Sequence, residues 1–374
     1  MKKIFYAGVI GLLLFEILNV YFIMPMPGSQ KMNSIDLAYF LYRWRWLFRI
    51  FFLAMILSGF FMSFKKRLWV PLVSVIIVAV GIYALNFKMA ADHMFYKTKN
   101  LLMVSANKNK VDSQRLIIGI ERNGIAKAYP IQFLGYHHQV SDTIAGEPVL
   151  VTYCTVCRTG RVFQPEVNGK NETFRLVGMD HFNAMFEDAT TKSWWRQATG
   201  EAITGKLKGE KLPEVSSSQT SLAEWLRLYP NSLVMQADPD FVASYDSTFK
   251  YENGKSKSKL TGTDSLSWKD KSWVIGVKAG DKSKAYDWNQ LKKEKIIRDK
   301  IDQTPIVLIL AADNKSFFAF EIPSQNSAVD FRNDSLFIDN NIYRIDGKSY
   351  AGLSALKRLP ASQEFWHSWR TFNP

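Results

Sequence analysis

LIIGIERNGIAKAYPIQFLGYHHQVSDTIAGEPVLVTYCTVCRTGRVF, residues 116–163, is the stretch on which the fold class turns. Its first part, LIIGIERNGIAKAYP, reads as a strand, a turn through Asn123-Gly124 and a second strand, which is hairpin chemistry. A short helical segment is expected at 130–136. VSDTIAGEPVLVTY then reads as another hairpin, closing on an apolar, β-branched run that suits a buried strand. Beyond it, RVFQPEVNGKNETFRLVG turns at Asn168-Gly169, and SLAEWLRLYP places apolar residues at helical spacing before a proline stop. Strands with short helices predict an α+β class.

Sliding this stretch by 157 positions aligns IGIERNGIAKAYPIQFL with IGVKAGDKSKAYDWNQL without a gap, and the register holds for 46 residues. Ile118 meets Ile275, Gly119 meets Gly276, Lys127-Ala128-Tyr129 meets Lys284-Ala285-Tyr286, and Asp142 meets Asp299. The likeness continues with GEAITGKLKGEKLP against GKSYAGLSALKRLP and EWLRLYP against SWRTFNP. The expectation is two related halves, 113–243 and 273–374, joined by a Ser-, Lys- and Gly-rich linker at 244–272.

The halves differ where chemistry would sit. His137 and His138 face Glu294 and Lys295, while Cys154 and Cys157 face Ala311 and Asn314, so any reaction belongs to the first half. The Cys-x-x-Cys spacing serves metal chelation, thiol redox chemistry or a small disulfide loop. Flanking sequence reads strand, turn, strand, which speaks against the thioredoxin arrangement at a helix N-terminus. In the metal reading, Cys154 and Cys157 join His137 and His181 in a sulfur and nitrogen shell suited to zinc or copper. In the redox reading one thiolate attacks, with His137, Arg158 or Arg161 favouring the thiolate. In the third reading the pair closes a structural disulfide on a non-catalytic binding module.

Other signals are weaker. Two adjacent histidines point apart on a strand, so only one of His137 and His138 is expected to serve. His93 and His367 lie outside the cluster. Asp188, Trp194, Trp195 and Arg196 are read as possible pocket walls, with core packing as the ordinary alternative. There is no Gly-rich phosphate loop, serine elbow or His-Glu-x-x-His helix, so nucleotide and classical hydrolase chemistry lack support.

Upstream, three apolar stretches at 4–24, 47–64 and 68–87 are each long enough to cross a ~30 Å hydrocarbon core. The first is too long for a signal peptide and lacks a small-residue cleavage site before Pro25. Residues 1–100 carry twelve Lys or Arg against three Asp or Glu, a net +9 of the chain's +14. The basic excess therefore belongs to the membrane segment, and nucleic acid is not an expected partner. YRWRW at 42–46 suits an interfacial aromatic belt, and no function is assigned to Glu16. Lys2, Lys3 and the Lys65-Lys66-Arg67 turn favour a cytoplasmic N-terminus, against Lys31, Arg43 and Arg45. Three crossings then put the soluble part outside the cytoplasm, anchored in the inner membrane by residues 1–90 through a linker at 91–112. The bilayer is one expected partner, and an unidentified protein or small molecule the other.

The combination of His137, Val140, Asp142 and Tyr153-Cys154-x-x-Cys157, followed by TTKSWWRQATGEAITGKLKGEKL, resembles the bacterial domain-of-unknown-function 3179 family. The likeness is strong over about 115–240 and weak beyond. Members usually show Cys-Pro-Leu-Cys-Gly where this chain has Cys-Thr-Val-Cys-Arg. The resemblance implies an exported or membrane-anchored domain. Selenoprotein relatives imply redox work at the cysteine positions, which brings that reading level with metal binding. Tyr153 and Asp142 enter the candidate pocket on this ground.

Overall fold

The computed structural model describes residues 2–64 and 69–373, so the Lys65-Lys66-Arg67 turn lies outside the described residues. The chain opens with apolar helices α1 (Lys2–Tyr21), α2 (Ile35–Arg43), α3 (Arg45–Ser63) and α4 (Trp69–Tyr83), the last continued by a π-helical turn at Ala84–Lys88. Two helices, Lys2–Tyr21 and Trp69–Lys88, are long and apolar enough to cross a membrane. A third results if α2 and α3, which meet at 60°, count as one broken span. The short helix α5 (Ala91–Met94) follows.

Strands then dominate: β1 (Met103–Ser105), β2 (Leu116–Arg122), β3 (Ile125–Pro130), α6 (Ile131–His137), β4 (Gln139–Ile144), β5 (Glu147–Cys154) and β6 (Thr159–Phe163). The two-residue pair β7 (Glu166–Val167) and β8 (Lys170–Asn171) turns at Asn168-Gly169, both at positive φ, as the Asn-Gly signal predicts. Next come β9 (Phe174–Asp180), β10 (Asn183–Asp188), β11 (Trp194–Arg196), β12 (Ala202–Thr204), β13 (Ser218–Ser221), α7 (Leu222–Leu228), β14 (Leu233–Met235) and α8 (Lys250–Asn253). The C-terminal part holds β15 (Trp273–Ala279), β16 (Lys282–Asp287), α9 (Trp288–Glu294), β17 (Ile296–Ile301), β18 (Thr304–Leu310) and β19 (Phe317–Glu321). It ends with β20 (Val329–Arg332), β21 (Ser335–Ile338), β22 (Asn341–Arg344), β23 (Arg358–Leu359), β24 (Ala361–Phe365) and α10 (Trp366–Phe372). The class is mixed α and β with a strand-rich C-terminal region.

Two compact units result, and they cut across the contiguous division expected from sequence. The first joins Met1–Tyr96 to Glu172–Arg196 and Glu201–Lys211; the second holds Lys97–Asn171, Gln197–Gly200 and Leu212–Pro374. The physical reason lies in the first unit's core, where Val177, Met185, Trp194 and Ile203 of the β12-β11-β10-β9 sheet pack on Val20, Ile23, Met24 and Ala38. Phe-, Trp- and Met-rich strands that alternate faces need an apolar partner, and here the end of the helical bundle supplies it.

Within the second unit, β1-β14-β3-β2-β13 form a five-stranded sheet beside the β4-β5-β6 sheet. Its core gathers Ile117, Tyr129, Leu134, Val151, Tyr153 and Trp225. In the C-terminal part, β16-β15-β24 and β17-β18-β19-β23 enclose Ile275, Leu291, Leu308 and Phe317. β18 and β19 are apolar and buried on nearly every position, so they pack on both faces.

Candidate functional site

Cys154 closes β5 and pairs with Thr159, which opens β6, so the cysteines bracket a tight turn between adjacent antiparallel strands. Both are fully buried and neither is in a disulfide. Arg158 completes the turn at φ 59°. The residues that hold the turn come from far along the chain. Lys271 donates from Nζ to the Val156 carbonyl (2.8 Å), between the two cysteines, and to the Leu260 carbonyl (2.6 Å). Its ammonium lies 4.6 Å from the centre of the Phe365 ring, and the Phe365 N–H donates to the Cys157 carbonyl at 2.9 Å. Burial lowers the Lys271 pKa, while the two cysteines beside it act in the opposite direction. An ammonium so placed favours thiolate over thiol.

Arg158 and Arg161 are buried rather than surface residues beside a turn. Arg158 lies 3.7 Å above the Trp273 ring, donates from Nε to Gln363 (2.8 Å) and from Nη1 to the Tyr251 carbonyl, and keeps a buried Nη2 without a hydrogen-bond partner. Burial lowers its pKa against the opposing pull of Tyr153 and Glu252. Arg161 reaches Glu364, which also accepts from Thr159 and Ser368.

The histidines go elsewhere. His137 and His138 end a helix instead of alternating on a strand: His137 is the last residue of α6 and His138 is its left-handed cap, and both are buried. His137 Nε2 lies 2.7 Å from the Tyr245 hydroxyl, which accepts from the Asp238 N–H at 3.2 Å. Which of the two donates in the His137–Tyr245 contact follows from the imidazole tautomer. His181 belongs to the first unit, where Nδ1 faces Asp180 (2.7 Å) and Nε2 faces Asn33 (3.1 Å). Among the described residues, no group of three or more His, Cys, Asp or Glu side chains is arranged to hold a metal ion. His137 and His181, with the partners just given, do not join Cys154 and Cys157 in such a group.

The remaining candidates make the following contacts. Asp142 accepts from Lys127 (2.8 Å) and Tyr129 (2.7 Å), and Tyr153 packs edge-on to Tyr251 in the core. In the first unit, Asp188 accepts from the Ser193 N–H and from Trp195 Nε1 at 3.0 Å each, fixing the turn before β11. Trp194 donates to Glu187, and Arg196 pairs with Asp180.

The family described as "Protein of unknown function (DUF3179)" matches residues 98–374, most of the chain. The chain belongs to this DUF3179 family. No curated protein and no solved structure matches it. The DUF3179 region begins just after the apolar helices and includes both cysteines, the segment carrying Lys271 and the C-terminal strand β24. Lys271, Gln363, Glu364 and Phe365 were not singled out from sequence. Each lies more than a hundred residues from the turn it supports, and no local periodicity marks such a contact.

Burial makes the DUF3179 region sensitive to acid. Burial pushes His138 down to about 4, with the Tyr136 carbonyl opposing, and His367 is also pushed down to about 4 by burial and by the Lys271 ammonium. An unfolded histidine titrates near ~6.5. As pH falls, the unfolded chain therefore takes up the proton first. The stability tied to neutral His138 is complete above about pH 6.5 and is lost down to about pH 4, on the order of 3 kcal/mol in all. Denaturant unfolding at pH 7 and pH 5 should show a lower midpoint at pH 5. His138→Asn, which tolerates the left-handed backbone at φ 61°, should flatten that dependence.

Proposed function

We propose that the domain is a thiol–disulfide redox centre, Cys154 and Cys157 cycling between dithiol and disulfide on a membrane-anchored, extracytoplasmic scaffold. The observation that carries it is the pair of buried, unbridged thiols on one turn with the Lys271 ammonium bonded to the Val156 carbonyl between them. In the exchange, which requires the turn to open because both thiols are buried, one cysteine thiolate attacks a sulfur of a disulfide substrate, forming a mixed disulfide and expelling a thiolate. The second thiolate then attacks the first cysteine's sulfur, closing Cys154–Cys157 and releasing the substrate's other thiolate. Two electrons pass to the substrate, and the two thiol protons end on its sulfurs.

The scaffold is read as three membrane spans, N-terminus inside, carrying two related halves. Element bounds support the halves: β2 to β5 begin at 116, 125, 139 and 147, and β15 to β18 at 273, 282, 296 and 304, each 157 positions on. Side-chain devices recur at the same offset. Lys127 binds Asp142 as Lys284 binds Asp299. His138 and Lys295 cap their helices at φ 61° and 66°. A Cβ on Gly119 would lie 2.4 Å from Trp225, and one on Gly276 would lie 1.7 Å from Trp369, so both positions need glycine for helix contact. At the turn the halves part: Asp313 accepts from the Lys315 and Ser316 N–H groups, where the first half has Val156. A carboxylate holds the second turn without sulfur, which argues that the cysteines serve more than the turn's shape.

The deciding measurement is thiol titration and elemental analysis of the full chain, purified anaerobically in detergent. A metal-free protein whose thiols oxidise reversibly with glutathione disulfide is expected. Lys271→Met should slow alkylation of Cys154 and Cys157 at neutral pH about tenfold and move its pH profile to higher pH. Near-stoichiometric zinc or copper lost on Cys154→Ser would overturn the redox reading, and so would a disulfide that resists mild reductant.

A further inference from the structure

The YRWRW segment does more than mark an interface. Within the first unit, Tyr39, Tyr42, Arg43, Arg45, Arg175, Glu187 and Lys192 line a cavity of about 390 Å³. Four cations face one carboxylate there. Arg175 is held by Glu187 (2.8 Å) and Asp92 (2.9 Å), and also donates to the Tyr42 hydroxyl. Glu187 further accepts from Trp194 Nε1 at 3.1 Å, so its charge is spent within the protein. Arg45 is oriented by one N–H to the Tyr42 carbonyl (2.7 Å) and by the Tyr42 ring (4.0 Å), leaving its other donors available. Arg43 and Lys192 are exposed and make no ion pair among the described residues. The cavity thus carries surplus positive charge that the protein does not neutralise.

The setting of the cavity bears on the kind of anion it suits. One face of α2 packs on the sheet, with Tyr39 and Tyr42 against Trp194 at 5.1 and 5.3 Å between ring centres. The other face leaves Leu37, Phe40 and Trp44 about half exposed, at i, i+3 and i+7, and α3 continues with exposed Trp46 and Leu47. An apolar stripe on a short helix, bent 60° from an apolar helix and bordered by Trp and Arg, is the pattern of a helix lying at the level of the lipid headgroups. Arg43 and Arg45, which line the cavity, alternate along the chain with the exposed Trp44 and Trp46.

We propose that this cavity binds the phosphate of an anionic phospholipid headgroup, with Arg43, Arg45 and Lys192 as donors to its oxygens. Guanidinium and ammonium groups at the membrane surface each add to the attraction for anionic lipid, and the arginine fork matches phosphate geometry. The site is separate from the cysteine turn and does not depend on the redox reading.

The test is lipid retention by the full chain, measured by native mass spectrometry after exposure to phosphatidylglycerol, phosphatidylcholine or inorganic phosphate. Wild type is expected to retain phosphatidylglycerol over phosphatidylcholine by on the order of tenfold, and Arg43→Gln with Lys192→Gln should remove most of that preference. Neither side chain makes an ion pair among the described residues, and Arg43→Lys with Lys192→Arg should keep the preference. A salt titration of wild type gives an arm free of variants, since the preference should fall as ionic strength rises. Equal retention of the two lipids, a preference unchanged in the Gln variant or by salt, or displacement of the lipid by millimolar inorganic phosphate would overturn the proposal.

Discussion

Arg49→Ala is expected to destabilise the first unit by about 3–5 kcal/mol, because it strands a buried carboxylate among apolar helices. Glu16 of α1 is fully buried and receives Arg49 of α3 through two bonds, Nε at 2.7 Å and Nη2 at 2.9 Å. Asn86, in the π-helical turn after α4, donates to Glu16 at 2.9 Å and accepts from Arg49 at 2.7 Å. One polar residue from each apolar segment therefore closes a single knot. In an apolar medium the alternative to this pairing is an unsatisfied charge, which fixes how the helices meet. Glu16→Gln should cost less, since an amide still accepts from Arg49 and Asn86. The pair Glu16→Leu with Arg49→Leu should recover most of the loss. Thermal unfolding of the detergent-solubilised chain, read by tryptophan fluorescence, checks all three; an unchanged midpoint for Arg49→Ala would dismiss the knot as an organising contact.

The second large effect is expected at Arg161 and Glu364, whose side chains are 4% and 1% exposed. Glu364 on β24 accepts from Arg161 on β6 and from Thr159, Ser362 and Ser368, so it ties the C-terminal strand to the strand after the cysteines. Arg161→Leu leaves that carboxylate buried without its counter-charge, an expected loss of about 3–5 kcal/mol. Arg161→Leu with Glu364→Leu should recover part of it. The three hydroxyls would lose their acceptor, so full recovery is not expected. The same change should raise the alkylation rate of Cys154 and Cys157, because Phe365, next to Glu364, donates to the Cys157 carbonyl. A double variant no better than Arg161→Leu alone would show that the pairing is not what the single loss reports.

The strands and helices near the cysteines follow from local pattern. Asn123-Gly124 and Asn168-Gly169 sit at positive φ in their turns, and the apolar run before Cys154 is a buried strand. These are consequences of backbone sterics and of alternation, which act over a few residues. The apolar helices are equally legible, since crossing length and composition are local quantities. The Cys-x-x-Cys turn itself was visible, and so was the absence of a helix N-terminus behind it.

What the sequence left undecided depends on contacts between distant segments. Trp194, Trp195, Asp188 and Arg196 looked like pocket walls, yet they build a sheet whose apolar face covers the end of the helical bundle. His137 and His181 share a stretch with the cysteines, but a tyrosine 108 positions away claims the first and Asp180 with Asn33 claims the second. Nearness along the chain says nothing about which donor a buried imidazole must satisfy. Lys271, Gln363 and Phe365 reach the cysteine turn only through the packing of the linker and the last strand on β6. By itself, then, the sequence determined the element types, the apolar helices and the position of the thiols, because those depend on short-range periodicity and residue chemistry. Tertiary structure alone decided the thiols' charged neighbours and the histidines' partners, because buried polar groups are satisfied by whichever segment the core brings to them.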